Sequence, residues 1–349
     1  MNVLHSLGSC YLIAGRCYPR RIAATSDQEP PTRKGAVLHH AKLNAVYSTP
    51  DMRRRYEVWF VRCGMADGSG AWWFRYLLVN NIKISSGMPA RRHFQVWATW
   101  FPRGAAPQSF IVEIPIDQLE LSARGHVPFH CRASESGIEE GRCWGNLRPD
   151  GHHISWNLRI HSRFAAKLSD KGWIGFSRSP HSDAAFCGEI IFEGKKFSGE
   201  PLGFGVQGHN CGYRHRSYWR WMHAYFPKPE GGSTLEALVY DLPLGMVFRN
   251  GILWHRGKPM KVQKIRELKI SRASAHLQWI FSGQLDDSSP LEASIEGVAP
   301  GVHELPYTKT DGSGNFPVSN ASLARATVKL GQSETLETET GAVLEMGGA

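Results

Sequence analysis

The chain has 349 residues, of which 42% are hydrophobic and 21% charged, with a formal charge of +10; this is the composition of a globular protein in one large or two medium domains. No run of about 18 apolar residues occurs, which excludes a spanning helix. The charge is concentrated at the start, where the first 55 residues hold nine Lys or Arg against three Asp or Glu, while the interior basic residues are interleaved with acids and form no nucleic-acid-binding pattern, so no nucleic acid is expected as a partner.

Residues 1–40 read as a disordered basic arm, of a kind suited to peripheral association with an anionic membrane surface. Its apolar stretch, Tyr11 to Gly15, is short and its arginines follow rather than lead it, the wrong order for a secretory signal. The seven cysteines (Cys10, Cys17, Cys63, Cys131, Cys143, Cys187 and Cys211) are odd in number with no CxxC pair. They point to a reducing, cytoplasmic setting and away from cysteine-bound zinc.

From Arg55 onward the sequence reads as strand after strand. Tyr56 to Cys63, Ala71 to Asn80, Arg92 to Phe101 and Ser109 to Ile114 are rich in aromatic and β-branched residues and are separated by Gly, Pro, Asn and Asp. In Gly151 to His161, His152, Ile154, Trp156, Leu158 and Ile160 alternate with polar neighbours, predicting a strand with one packed face. Further strands are expected at Leu235 to Asp241, Ala275 to Ser282, Leu291 to Gly297, Arg325 to Leu330 and Gly341 to Met346. Asn250-Gly251, between two apolar runs, predicts a two-residue hairpin turn. The fold class is therefore all-β, with two antiparallel barrels in tandem, residues 41–200 and 201–349, broken at the Gly/Pro-bearing stretch Lys195 to Gly203. A single large sandwich is the alternative.

The segment Gly205 to Phe226 crowds three His, three Tyr, two Trp and three Arg together. If Ser217 to Phe226 is extended, Trp219, Trp221, His223 and Tyr225 share one face. Such a wall suits an apolar ligand and places a proton-moving group beside it; a packed aromatic core with a satisfied histidine has the same pattern. His215 and His223 share parity but lie about 26 Å apart on a straight strand at roughly 3.3 Å per residue, so no metal site is expected from His209, His215 and His223.

Tyr56-Glu57-Val58-Trp59-Phe60, Trp72-Trp73-Phe74-Arg75-Tyr76 and Gly205 to Gly212 resemble the double-barrel lipocalin-like family of acyclic carotenoid hydratases (hydroxyneurosporene synthases), AttH-like proteins, kievitone hydratase and Diels-Alderase relatives, with tocopherol cyclase more distant. The resemblance covers roughly residues 45 to 346. It implies two lipocalin-like barrels, a cavity for an isoprenoid or other apolar small molecule, and neither metal nor organic cofactor. Where the family commonly shows Gly-Tyr-His-Asp-His-Asn-Trp-Gly, this chain has Gly-Val-Gln-Gly-His-Asn-Cys-Gly. His209, Asn210 and Gly212 match; the acid proposed to protonate the substrate is replaced by Gly208 and the aromatic by Cys211.

Hydrating or cyclising an alkene by protonating carbon requires an acid in a dry pocket. With Gly208 in its usual place, the acid must stand elsewhere, and Asp241 is the candidate: it shares a strand face with Leu235, Ala237 and Val239, where burial would raise its pKa. Its turn preference before Leu242-Pro243 favours a strand-ending role instead. His209 and His223 are the remaining candidates for proton transfer, and Asn210, Tyr213, His215, Trp219, Trp221 and Tyr225 for substrate binding. Arg75, on an otherwise apolar face, predicts a structural ion pair. Two functions stay open: a cofactor-free hydratase, cyclase or isomerase acting on an isoprenoid or polyketide-like molecule, and a non-catalytic carrier for a hydrophobic ligand.

Overall fold

The computed structural model describes residues 40–50, 52, 55–81, 91–172, 174–228, 231–311 and 313–348. The arm expected over 1–40 lies outside the described residues except for His40, which belongs to a short helical stretch at 40–44. The first half contains β1 (Arg55–Met65), β2 (Gly70–Asn81), β3 (Arg91–Pro102), β4 (Gln108–Ile114), β5 (Leu119–Leu121), β6 (His130–Ala133), β7 (Ser136–Glu139), β8 (Arg142–Leu147), β9 (Ile154–His161), β10 (Ala166–Asp170), β11 (Gly175–Phe192) and β12 (Lys195–Gly212). The second half contains β13 (Tyr218–Phe226), β14 (Ser233–Asp241), β15 (Val247–His255), β16 (Lys258–Ala273), β17 (His276–Gln284), β18 (Pro290–Val298), β19 (His303–Thr308), β20 (Asn315–Leu330) and β21 (Glu334–Gly348).

These strands build two antiparallel barrel-like sheets. In the first, the order is β4-β3-β2-β1-β12-β11-β9-β8-β7-β6-β5, with β10 beside β11, and β4 and β5 remain as the two free ends of a nearly closed sheet. In the second, β13 to β18 continue through β21 and β20 back to β18, which closes the ring, and β19 lies outside it on β20. The expected break at Lys195 to Gly203 is corrected: this stretch is the first half of β12, joined to β11 by a tight turn at Glu193-Gly194, and the sheet changes only in the loop at 213–217. Glycines that read as a linker are strand positions where a neighbour comes close. A Cβ at Gly203 would sit 2.3 Å from the Gly64 carbonyl oxygen.

Asn250-Gly251 is likewise strand interior, pairing with Leu238 and Ala237, and the turn falls at Arg256-Gly257, both at positive φ. Asn250 serves another purpose, donating its side-chain amide to the Leu168 carbonyl at 2.7 Å across the two halves.

Strand alternation sorts the apolar residues into three layers. Trp59, Val61, Trp72, Phe74 and Trp156 fill the first barrel, and Met222, Ala224, Leu235, Trp279 and Leu344 fill the second. The outward faces of β1, β2, β12, β13, β14 and β21 meet as a third layer containing Phe60, Trp73, Val206, Trp221, Leu238 and Val343. Arg62, fully buried on β1, crosses this layer and donates to the carbonyls of Ser322, Thr340, Gly341 and Ala342. Those acceptors lie where the β20–β21 ladder changes register around Ala321 to Ala326, so the interruption frees carbonyls that the guanidinium then satisfies. Burial lowers the Arg62 pKa to about 10, which leaves it charged at neutral pH.

The described cysteines, Cys63, Cys131, Cys143, Cys187 and Cys211, are all buried. Among the described residues, no helix is long and apolar enough to cross a membrane.

Candidate functional site

At one end the layer between the barrels opens into a cavity of about 110 Å³, against the roughly 10–15 Å³ that one water requires. Alternation on β1 and β2 presents Tyr56, Val58, Phe60, Trp73 and Arg75 from the first barrel; Trp219, Trp221, Tyr240, Tyr307 and Glu345 face them from the second. The 213–217 loop adds Arg214, His215 and Arg216, and the exposed Ile174 lies at the rim.

Arg75 sets the electrostatics. It is 3% exposed, its guanidinium lies 4.5 Å from the Trp97 ring and 3.8 Å from that of Tyr307, and its Nη1 has no hydrogen-bond partner. Among the described residues the expected ion pair is therefore absent, and two ring faces take its place. His215 stacks on Tyr56 at 4.2 Å with the rings 6° from parallel, and its Nδ1 is buried without a partner. Desolvation, then the Arg75 charge, lowers the His215 pKa to about 3, so the imidazole is neutral at pH 7. Burial raises the Tyr56 phenol above its ordinary value. Glu345 accepts Trp219 Nε1–H at 3.0 Å and the Tyr307 hydroxyl at 2.6 Å. Trp73 Nε1 and Asn210 Oδ1 are also buried and unpartnered. Four such atoms (Trp73 Nε1, Arg75 Nη1, Asn210 Oδ1 and His215 Nδ1) thus belong to residues lining one cavity, although buried polar groups are ordinarily satisfied.

Asn210, His215, Trp219 and Trp221 line this cavity; Tyr213, Tyr225, His209, His223 and Asp241 do not. Tyr213 is 41% exposed, and Tyr225 stacks on Phe204. His209 faces into the first barrel, where its ring lies between the Leu43 carbonyl and Glu57, each at 2.8 Å, and stacks on Trp59. Burial alone would raise the Glu57 carboxyl, but hydrogen bonds from His209 and the Tyr47 and Ser48 amides outweigh it and hold it below the usual range. His223 is fully buried, with Nε2 2.7 Å from the Ser182 carbonyl. Asp241 ends β14 and accepts the Tyr218 amide at 3.1 Å; the face it shares with Leu235, Ala237 and Val239 is the interior of the second barrel.

Two acids on the inter-barrel face are Glu345, in the cavity lining, and Glu236. Glu236 accepts from Ser179 Oγ at 2.6 Å, Trp221 Nε1 at 2.9 Å and Ser182 Oγ at 3.2 Å, directly behind the cavity wall. Desolvation raises its pKa despite those bonds. The sequence signal for both was a carboxylate alternating with apolar residues, Glu345 with Val343 on β21 and Glu236 with Leu238 on β14, the latter one position out of phase with the face assigned to Asp241.

No family model matches the chain, and no curated protein matches it in sequence. Its backbone is nonetheless similar to kievitone hydratase from Nectria haematococca (8% identity, 88% of this chain and 94% of that one, TM-score 0.52). It is similar also to an AttH-type protein from Nitrosomonas europaea (10%, 94% and 99%, 0.55) and to CghA solved with Sch210972 (12%, 84% and 88%, 0.57). The chain has the double-barrel lipocalin-like fold.

Gly208 stands where the resemblance in sequence led to the expectation of an acid, and the surroundings show why no side chain fits. A Cβ there would lie 2.2 Å from the Phe60 ring, so Phe60, itself stacked on Trp73, occupies the space.

Proposed function

We propose that the inter-barrel cavity binds a largely apolar small molecule through an oxygen acceptor held by Arg75, and that the protein acts on it as a hydratase, cyclase or isomerase by proton transfer. The observation that carries this reading is the buried, unpaired Arg75 Nη1 among aromatic walls. A carbocation formed about 5 Å from that guanidinium would be opposed by roughly 3 kcal/mol at an effective dielectric of 20. A developing oxyanion would be stabilised by a similar amount. The site therefore favours an oxygenated, polyketide-like substrate whose double bond is conjugated to a carbonyl, over a hydrocarbon isoprenoid.

In this reading Arg75 Nη1 and Trp73 Nε1 hold the carbonyl oxygen as it gains charge. His215, in the tautomer protonated at Nε2, takes at Nδ1 a proton from the water whose oxygen adds to the far carbon of the conjugated double bond, and then returns it to the α-carbon of the enolate so formed. Its low basicity arises partly from Arg75, and an oxyanion formed on Arg75 offsets that charge and restores basicity at the moment of transfer. Glu345 fixes Trp219 and Tyr307 around the ring faces. The solved neighbours, one named as a hydratase and one solved with a small molecule, support the reading by fold analogy only.

The test is to extract the ligand from protein purified from its own host and incubate it with wild type, Arg75→Leu and His215→Phe. Conversion by wild type that both substitutions abolish, with the fold retained, establishes the enzyme. A ligand returned unchanged by wild type makes the protein a carrier. A hydrocarbon ligand indifferent to Arg75→Leu sinks the oxyanion assignment.

A further inference from the structure

Away from this cavity, a second cluster of chemistry-bearing side chains stands at the end of the first barrel. His40 comes from the helical stretch at 40–44, Glu140 from the turn between β7 and β8, and His181 from β11. One ligand atom from each lies within 4.8 Å of the others. His40 is 7% exposed and His181 4%, and their rings meet edge to face with centroids 5.1 Å apart.

The surroundings orient Glu140 and His181 toward each other. His181 sits where the β11–β12 register shifts on both sides of it, an irregularity that re-aims a side chain. Ser162 Oγ lies 2.7 Å from its Nδ1, which turns Nε2 toward Glu140. That Nε2 is 3.3 Å from Glu140 Oε1 yet buried and without an aligned hydrogen bond. The other carboxylate oxygen is held by Asn44 Nδ2 at 3.0 Å, and Asn44 is held in turn by Gln207. An outer shell of hydroxyl and amide groups around two imidazoles and a carboxylate is the arrangement that positions metal ligands.

We propose that His40, Glu140 and His181 form a binding site for a divalent transition cation of the zinc type. Ligands at about 2.0–2.1 Å from a tetrahedral Zn²⁺ lie about 3.4 Å apart. The Glu140–His181 spacing of 3.3 Å already matches, and starting from the 4.8 Å limit on the cluster, closing the site takes at most about 1.4 Å of side-chain movement. Two imidazoles and one carboxylate leave a fourth position open to water or another donor. The cation would tie residues 40–44 to β11 and to the β7–β8 turn. This site is independent of the oxygen-binding role given to Arg75.

The experiment is calorimetric titration of chelator-treated, full-length protein with Zn²⁺, repeated for Glu140→Gln and His181→Asn, with His152→Ala as a surface-histidine control. One site per chain, weakened at least 30-fold by either of the first two substitutions and untouched by the control, is the expected result. Because a substituted barrel end can unfold, the zinc-loaded wild type is also examined by X-ray absorption. Two imidazole nitrogens with oxygen donors are expected. No saturable uptake by wild type, uptake unaltered by both substitutions in folded protein, or sulfur in the coordination shell would each overturn the proposal.

Discussion

The Arg75 guanidinium on β2 lies 3.8 Å from the Tyr307 ring on β19, a contact that joins the two barrels across the mouth of their shared cavity. It also fixes a positive charge that, among the described residues, no carboxylate pairs with directly. Ligand preference follows directly. Between two probes of equal size, an apolar ketone or enol and its hydrocarbon counterpart, wild type should prefer the oxygenated one by about 10- to 100-fold, the range of a charge-assisted hydrogen bond of roughly 1.5–3 kcal/mol. Arg75→Leu should erase the preference while keeping affinity for the hydrocarbon. Tryptophan fluorescence titration reads both, and an unchanged preference in the variant counts against the assignment.

Gly208 and Phe60 compete for one volume. Gly208→Asp should destabilise the fold by about 1–3 kcal/mol, the usual range for overpacking. Combining it with Phe60→Ala should recover part of that loss, giving a coupling well outside additivity. Urea midpoints of the two single variants and the double variant test this; strictly additive effects would mean that Phe60 does not fill the position.

His223 should make folding acid-sensitive. Desolvation is the main cause that brings its pKa from 6.5 to about 3, so the unfolded chain takes up the proton more readily. The stability from this group is complete above pH 6.5 and is lost as the pH falls from there toward 3. His215, shifted likewise, adds to the slope. Denaturation measured between pH 7 and pH 4.5 should show a shallower decline for His223→Asn than for wild type.

Glu236 has the opposite dependence. Its raised native pKa, caused first by desolvation, means that the folded state holds the proton more tightly. Its contribution is full below the ordinary value of 4.5 and is lost as the pH rises through the native value. Glu236→Gln removes that loss. The difference in unfolding free energy, variant minus wild type, should therefore grow with pH above 4.5; a flat difference would show that Glu236 is ionised in the fold at no cost.

The faces of strands were more legible in the sequence than their boundaries. Alternation placed Trp219 and Trp221 together, and they share the cavity wall, because side-chain direction on a strand depends only on parity. Gly199, Pro201 and Gly203 suggested a linker, yet they lie inside β12. A glycine required by a close backbone neighbour is indistinguishable in sequence from one that permits a turn. Asn250-Gly251 misled for the same reason. The acids were missed because parity does not say which face of β14 looks outward: Leu235, Ala237 and Val239 fill the second barrel, which turns Glu236 rather than Asp241 toward the first. Arg75 lost its expected ion pair because Trp97 and Tyr307, more than 200 residues apart, converge on it only in the fold.

The reach of Arg62 carries a temporal consequence. Its acceptors at Ser322 and at Thr340 to Ala342 belong to β20 and β21, so during synthesis the first barrel emerges long before the carbonyls that receive its arginine. Until β20 and β21 are made, the Arg62 guanidinium has the Phe204 carbonyl of its own barrel but not those of Ser322 and of Thr340 to Ala342, and it stands amid apolar surface. An emerging chain that has not yet reached β20 and β21 is therefore not one finished barrel and one fragment, but two halves that are both incomplete.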